Sequence, residues 1–325
     1  MSSNNTQSIA QSVSQPIEKG HSLWRDAWIR LKKNHMAVAS VFIISLICTL
    51  CFIAPAILDF QNPNTQNLKN TFAPIGGDHL LGTDQLGRDL LSRLVYGGRI
   101  SLLVGFVATA VSLVIGIVWG SVSGYIGGRT DNLMMRIVDI LYGLPFLVLV
   151  ILFALLISEY TKGLAVIMDE SWGWDEETIK KTTNLIPLFV AIGALGWLTM
   201  ARMARAQVMT LKNLEYIEAA RSLGLSHTKI LLRHILPNML GPVIVYTTLT
   251  VPGFILYEAA LSYLGLGVES PNSSWGILLK DGANYMETYP RLLIIPSVVF
   301  SITLFALNFL GDGLRDALDP KAAKD

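Results

Sequence analysis

Glu218-Ala219-Ala220-Arg221-Ser222-Leu223-Gly224, continued at Ile235-Leu236-Pro237-Asn238, is a polar interruption between two long apolar segments. Its pattern is that of a short helix, a glycine turn and a second helix. Asn213 is a suitable N-cap, and Glu215 complements the positive end of a helix dipole. Tyr216, Ile217, Ala220 and Leu223 recur at spacings of three and four and predict one apolar stripe. Glu218 and Arg221 lie three apart and can pair beside it. Gly224 stands where a helix C-terminus favours glycine. The first helix is expected to have about ten residues, roughly 15 Å, and the second to run from near Ser226 to Pro237. The small Ala219 and Ala220 suit a helix seated deep in a groove of another protein. Composition alone equally allows a loop helix resting on a lipid leaflet.

Outward from this loop the chain is apolar. Of 325 residues, 52% are hydrophobic and only 15% charged, against about 25% charged in a soluble domain. Spans of about 20 apolar residues are expected at 36–58, 99–126, 137–158, 186–205, 240–267 and 291–311. The chain therefore reads as an all-α membrane protein with six transmembrane helices. With the N-terminus inside, the inner segments hold 16 Lys and Arg and the outer segments 9. That bias places both termini and the opening loop on the cytoplasmic side.

The organisation follows. Residues 1–35 are a Ser/Gln/Asn-rich cytoplasmic tail and an interfacial helix with Trp24, Trp28 and Leu31 at helical spacing. Residues 36–98 are the first span and an outer loop. Residues 99–311 are a core of five spans with the loop 206–239, and 312–325 are a cytoplasmic tail. Cys48 and Cys51 read as small buried hydrophobes, and no metal-site pattern is present.

Several features stand out along the chain. The outer loop ends in Gly82-Thr83-Asp84-Gln85-Leu86-Gly87-Arg88-Asp89, where Thr83 or Asp84 is expected to cap the next helix; the loop also offers a docking surface. His79, Asp84 and Asp89 are too loosely set for a metal. Gly116, Gly120, Gly124 and Gly128, each four apart, predict a groove for a close helix neighbour. Pro145 in Gly143-Leu144-Pro145 predicts a kink in the third span. The segment 159–185 reads as a partly helical outer insertion with acidic residues and interfacial Trp172 and Trp174. Glu258 is a carboxylate in an apolar span, equally a transport-pathway group or a buried, paired group at a helix contact. Trp275 suits the outer interface, and 311–320 a separate inner helix ended by Pro320.

No GxxxxGK[ST], HExxH or GxSxG sequence occurs, which argues against a catalytic role and against ATP hydrolysis by this chain. An ion-coupled secondary transporter with Glu258 as proton carrier lacks a visible inverted repeat and leaves the loop unexplained.

Glu218-Ala219-Ala220, Gly224 and Ile235-Leu236-Pro237 resemble the "EAA" loop of ABC importer permeases, without the residue the family places between Ile and Leu-Pro. Gly82-Thr83-Asp84, Gly87-Arg88-Asp89, Ser274-Trp275-Gly276 and Gly311-Asp312-Gly313-Leu314-Arg315-Asp316 are similar to the oligopeptide/dipeptide permease, C-subunit type. The likeness runs from Leu23 to Lys321, with the 159–185 loop longer than the family usually shows. The resemblance implies a type I importer permease fold with a cytoplasmic coupling helix, in a bacterial inner membrane. It implies a second homologous permease, two cytoplasmic ATPases, an external peptide-binding protein and a peptide substrate, with membrane lipid around them. No nucleic acid and no cofactor is implied, and ATP is hydrolysed by the partners. Glu218, Ala219, Ala220, Arg221, Leu223 and Gly224, with Tyr216 and Ile217, would dock on an ATPase. Dipeptide or nickel-chelate importers of the same family are the alternative.

Overall fold

The computed structural model describes residues 23–318 except 59, 173, 174 and 270. The expected tail 1–20, the stop at Pro320 and Trp174 lie outside the described residues, as do the side chains of Trp24, Asp169, Glu170, Trp172 and Glu177. The protein is mostly helical, and the described residues form no strand.

A short amphipathic helix, α1 (Leu23–Lys33), leads through Asn34 into α2 (His35–Ile57). Asn34 accepts from the Met36 and Ala37 N–H groups, so two of the orphan donors that open a helix are satisfied. After the outer loop come α3 (Leu90–Ile126), α4 (Gly128–Tyr142), α5 (Phe146–Trp172), α6 (Glu176–Thr183) and α7 (Ile186–Leu211). Then follow α8 (Glu215–Ser222), α9 (His227–Tyr263), α10 (Trp275–Asn284) and α11 (Arg291–Leu318). Five helices, α2, α3, α7, α9 and α11, are long and apolar enough to cross a membrane; the bent pair α4–α5 makes a sixth if counted as one span.

Several helix limits differ from the expected spans. The third span is not one kinked helix: Gly143-Leu144-Pro145 separates α4 from α5, and their axes meet at 94°. Helix α5 continues to Trp172 and takes up much of the segment expected as an outer loop. Helix α3 starts at Leu90, so the boundary expected at 98–99 falls inside a continuous helix. Residues 311–318 are likewise the last turns of α11 rather than a separate helix.

The core is built on α3 against α7. Added Cβ atoms on Gly116, Gly120 and Gly124 would lie 2.6 Å from Met200 Cβ, 2.2 Å from the Ala201 carbonyl and 2.8 Å from the Arg205 carbonyl. Only glycine permits this approach. Gly128 does not belong to the stripe. Gly127 ends α3 at φ 72°, and Gly128, at φ 60°, opens α4 with nothing near its missing Cβ.

The half of the bundle away from the 206–239 loop closes around Trp275, which is fully buried rather than at an interface. Its indole N–H donates to the Leu94 carbonyl (3.0 Å) and its backbone N–H to Ser101 Oγ (3.1 Å). Glu258, also fully buried, accepts from Ser101 Oγ and Ser262 Oγ at 2.7 Å each, and Ser101 Oγ in turn accepts from the Trp275 N–H that opens α10. One carboxylate thus joins α3, α9 and the start of α10, which explains why an ionisable group is tolerated there.

The outer loop is knitted by its own motif. Helix α3 is capped by Asp89, which accepts from Ser92 N–H (2.8 Å), not by Thr83 or Asp84. Asp84 is buried and accepts from Arg88 Nε (2.7 Å) and Arg93 Nη1 (2.6 Å), while Arg93 Nη2 reaches Asp281 of α10 at 3.1 Å. Thr83 Oγ1 accepts from Ala73 N–H, and Asp89 also takes His79 Nδ1 at 3.0 Å. These groups are consumed inside the protein, so the loop's outward face is formed by other residues.

Candidate coupling site

The loop between α7 and α9 is positioned by polar links at the end of α3. Arg205 meets Asp131 through two bonds of 2.6 Å, and Ser123 donates to the same carboxylate. Lys212 Nζ donates to the Gly124 carbonyl at 2.6 Å, and Tyr125 OH pairs with His227 Nδ1 at 2.9 Å. Both ends of the loop, and the entrance to α4, are therefore fixed to one point of the bundle.

Helix α8 runs from Glu215 to Ser222, two residues shorter than the expected ten. Asn213 does not cap it. Leu214 occupies the N-cap position without a side-chain bond, because Asn213 turns back and donates to the Met209 carbonyl (3.1 Å) of α7. The other end matches a glycine-closed helix stop: Gly224 has φ 79°, Leu225 N–H donates to the Ala220 carbonyl and Gly224 N–H to Arg221. The second helix does not end at Pro237. A wider turn at Leu231–Ile235 accommodates the proline, and α9 continues from His227 through span five.

The apolar stripe divides into two faces. Ile217 and Ala220 are buried against Ala204, Val208, Ile230, Ile235 and Met239. Tyr216 and Leu223 point out, and Leu223 is 80% exposed. Beside them Glu215, Glu218, Ala219 and Arg221 are exposed; among the described residues no ion pair joins Glu218 to Arg221. An inner face locks the helix to α7 and α9, while an outer face presents a leucine, a tyrosine and a small alanine between acidic and basic groups. Covering that leucine would be worth about 1.5–3 kcal/mol.

Glu258 lies far from this loop along α9 and, being sealed among serines, does not face an open path. A cavity of about 460 Å³ does open beside the α4–α5 break, lined by residues of α4, α5, α7 and α9. Its wall carries Tyr142, Thr199, Tyr246, Thr250 and Tyr257, none of which the sequence reading singled out. The available signal was hydroxyl side chains recurring inside three otherwise apolar segments.

Known proteins place these features. Residues 116–324 match the family model for a binding-protein-dependent transport system inner membrane component. Residues 22–74 match that for the N-terminal TM domain of oligopeptide transport permease C. The oligopeptide transport system permease protein OppC of Haemophilus influenzae is 45% identical over 96% of this chain and 93% of its own. OppC of Bacillus subtilis is 43% identical over 94% and 92%. The dipeptide transport system permease protein DppC of Bacillus subtilis is 41% identical over 96% of this chain and 89% of its own. A model match over most of the core, together with these relatives along nearly the whole chain, makes this protein a multi-pass member of the binding-protein-dependent transport system inner membrane component family.

Proposed function

We propose that this chain is a permease subunit of an ATP-driven oligopeptide importer. On this reading it forms half of the translocation pathway with a second, homologous permease. Two ATPases bind on the cytoplasmic side, and an external binding protein delivers the peptide. The Lys/Arg bias supports placing both termini and α8 inside, in a bacterial inner membrane. The oligopeptide substrate rests on the names of the most similar relatives.

One observation carries the coupling role. Helix α8 exposes Glu218, Ala219 and Leu223 on one side and buries Ile217 and Ala220 on the other. A partner that grips the exposed side must move the buried side with it, and α7 and α9 follow. An ATPase pair that closes on ATP would displace two such helices, one on each permease.

The test is peptide uptake into vesicles holding the whole complex, with ATP and the binding protein. Glu218→Lys lies on the exposed face and leaves the core untouched. Uptake is expected to fall roughly tenfold or more, equivalent to ~1.4 kcal/mol, with normal insertion and weaker ATPase retention. Uptake that persists without ATP but collapses with the proton gradient would overturn the reading in favour of an ion-coupled carrier.

A further inference from the structure

The cavity at the α4–α5 break has a wall unlike the lipid-facing surface around it. Five hydroxyls, of Tyr142, Thr199, Tyr246, Thr250 and Tyr257, meet there with the ring of Phe146, which packs 4.5 Å from Tyr257. Thr250 Oγ1 donates to the Tyr246 carbonyl at 2.7 Å, and the hydroxyl-bearing side chains of α4, α7 and α9 share this wall. Thr199 lies about 20 Å along α7 from its start, well within a span. Hydroxyls turned to hydrocarbon at that depth cost free energy unless something polar meets them.

No residue lining the cavity is an acid or a base. Asp139 and Arg202 pair with one another at 2.7 Å, and Arg202 stacks 4.1 Å over the Tyr142 ring. Neither lines the cavity, whose wall is neutral. A neutral wall of hydroxyls and rings does not favour one sign of charge over the other. It suits groups that every peptide carries, amide N–H and C=O, together with apolar side chains.

One wall position is vacant in a specific way. Gly253 sits inside α9, lines the cavity, and a Cβ added to it meets nothing within 4 Å. Gly196, on the same cavity, is different: its Cβ would lie 2.3 Å from the Phe254 ring. Glycine at 196 is demanded by packing, whereas at 253 packing does not demand it. A helix-interior glycine costs roughly 0.5–1 kcal/mol relative to alanine, so this width is maintained against local stability.

We infer that this cavity is a contact site for the peptide in transit, which binds main-chain amides and apolar side chains without preference for the sign of a charge, and that Gly253 sets its width. The inference rests on the importer reading. The bound peptide exchanges its water partners for the hydroxyl strip, while the rings take its side chains by area rather than by type. Such a site passes many sequences and is limited by bulk.

The experiment compares wild type with Gly253→Ala and Gly253→Trp in the assembled complex, using short and bulky peptides of equal charge. Alanine is expected to leave uptake within about twofold, and tryptophan to lower uptake of the bulky peptide roughly tenfold or more, with unchanged assembly and ATPase activity. Gly253→Trp that accumulates normally and transports both peptides at the wild-type rate overturns the inference. If Gly253→Trp fails to accumulate, Gly253→Cys in a Cys48→Ala, Cys51→Ala background is blocked after assembly with a bulky maleimide. Loss of uptake that saturating peptide prevents supports the site, and full uptake after complete labelling overturns it. Wild-type complex that moves no peptide at all would instead refute the importer reading itself.

Discussion

Gly120→Ala tests the close packing that joins the bundle to the coupling loop. The added methyl would sit 2.2 Å from the Ala201 carbonyl oxygen, 2.8 Å from Ala204 Cβ and 2.9 Å from Arg205 N. Two of these three are backbone atoms of α7, which cannot rotate away. Restoring an ordinary 3.4 Å contact requires the helices to separate by about 1 Å at this point. Overpacking of this kind costs about 1–3 kcal/mol, and replacing a helix-interior glycine by alanine returns up to about 1 kcal/mol, leaving a net loss of about 1 kcal/mol. The shift also reaches the next turn. A 1 Å retreat stretches the 2.6 Å bonds of Arg205 to Asp131 and of Lys212 to the Gly124 carbonyl beyond hydrogen-bond range. Thermal unfolding of the purified complex should therefore start roughly 2–4 °C lower, and ATP-driven uptake should fall with it. Gly163→Ala is the matched control, because its Cβ meets nothing within 4 Å and α5 should gain slightly. Equal or greater stability of Gly120→Ala would refute the packing argument.

Two other substitutions separate structure from transport. Glu258→Ala removes the acceptor of two serine hydroxyls and should destabilise the protein by about 1–3 kcal/mol in thermal unfolding; Glu258→Gln, which keeps one acceptor, should cost less, and neither should make uptake depend on a proton gradient. Gly224→Val forces a β-branched residue to φ 79° in open space, a strain of about 1–2 kcal/mol, so uptake should drop while Gly224→Asn, which tolerates that conformation, stays near wild type.

Much of the architecture was legible in local chemistry. Apolar runs located the spans though not their ends, and Gly224 marked the loop's turn, because hydrophobic length and positive φ are properties of short segments. The errors concern competition between segments. Asn213 has the side chain of an N-cap, but α7 runs to Leu211 and offers it the Met209 carbonyl first. Gly128 keeps the four-residue spacing of Gly116, Gly120 and Gly124, yet Gly127 has already ended the helix. Pro145 signalled a disturbance, but neighbouring helices decide whether a proline bends a span slightly or breaks it at 94°. Glu258 shows the same limit. Ser101 is 157 residues away in sequence, and nothing near Glu258 foretold the bond. The hydroxyl strip of the cavity was hidden for the same reason, since its members come from separate helices.

The long helix α9, which carries a wide turn at Leu231–Ile235 and Pro242 and Pro252 inside it, has a mechanical meaning. Its 37 residues extend about 55 Å, from His227 beside α8 to Tyr263 beside the serine-bound Glu258. Held at its far end by that carboxylate and pulled at its near end by a docked partner, such a helix would swing about Glu258. The largest sweep is then at the α8 end and the smallest beside Glu258, with Gly253 a little over one turn from the pivot. A displacement of several ångströms at the ATPase would arrive at the cavity as a movement of about an ångström or less. The transport stroke would thus be geared down where the peptide sits, giving a small change of width at high force.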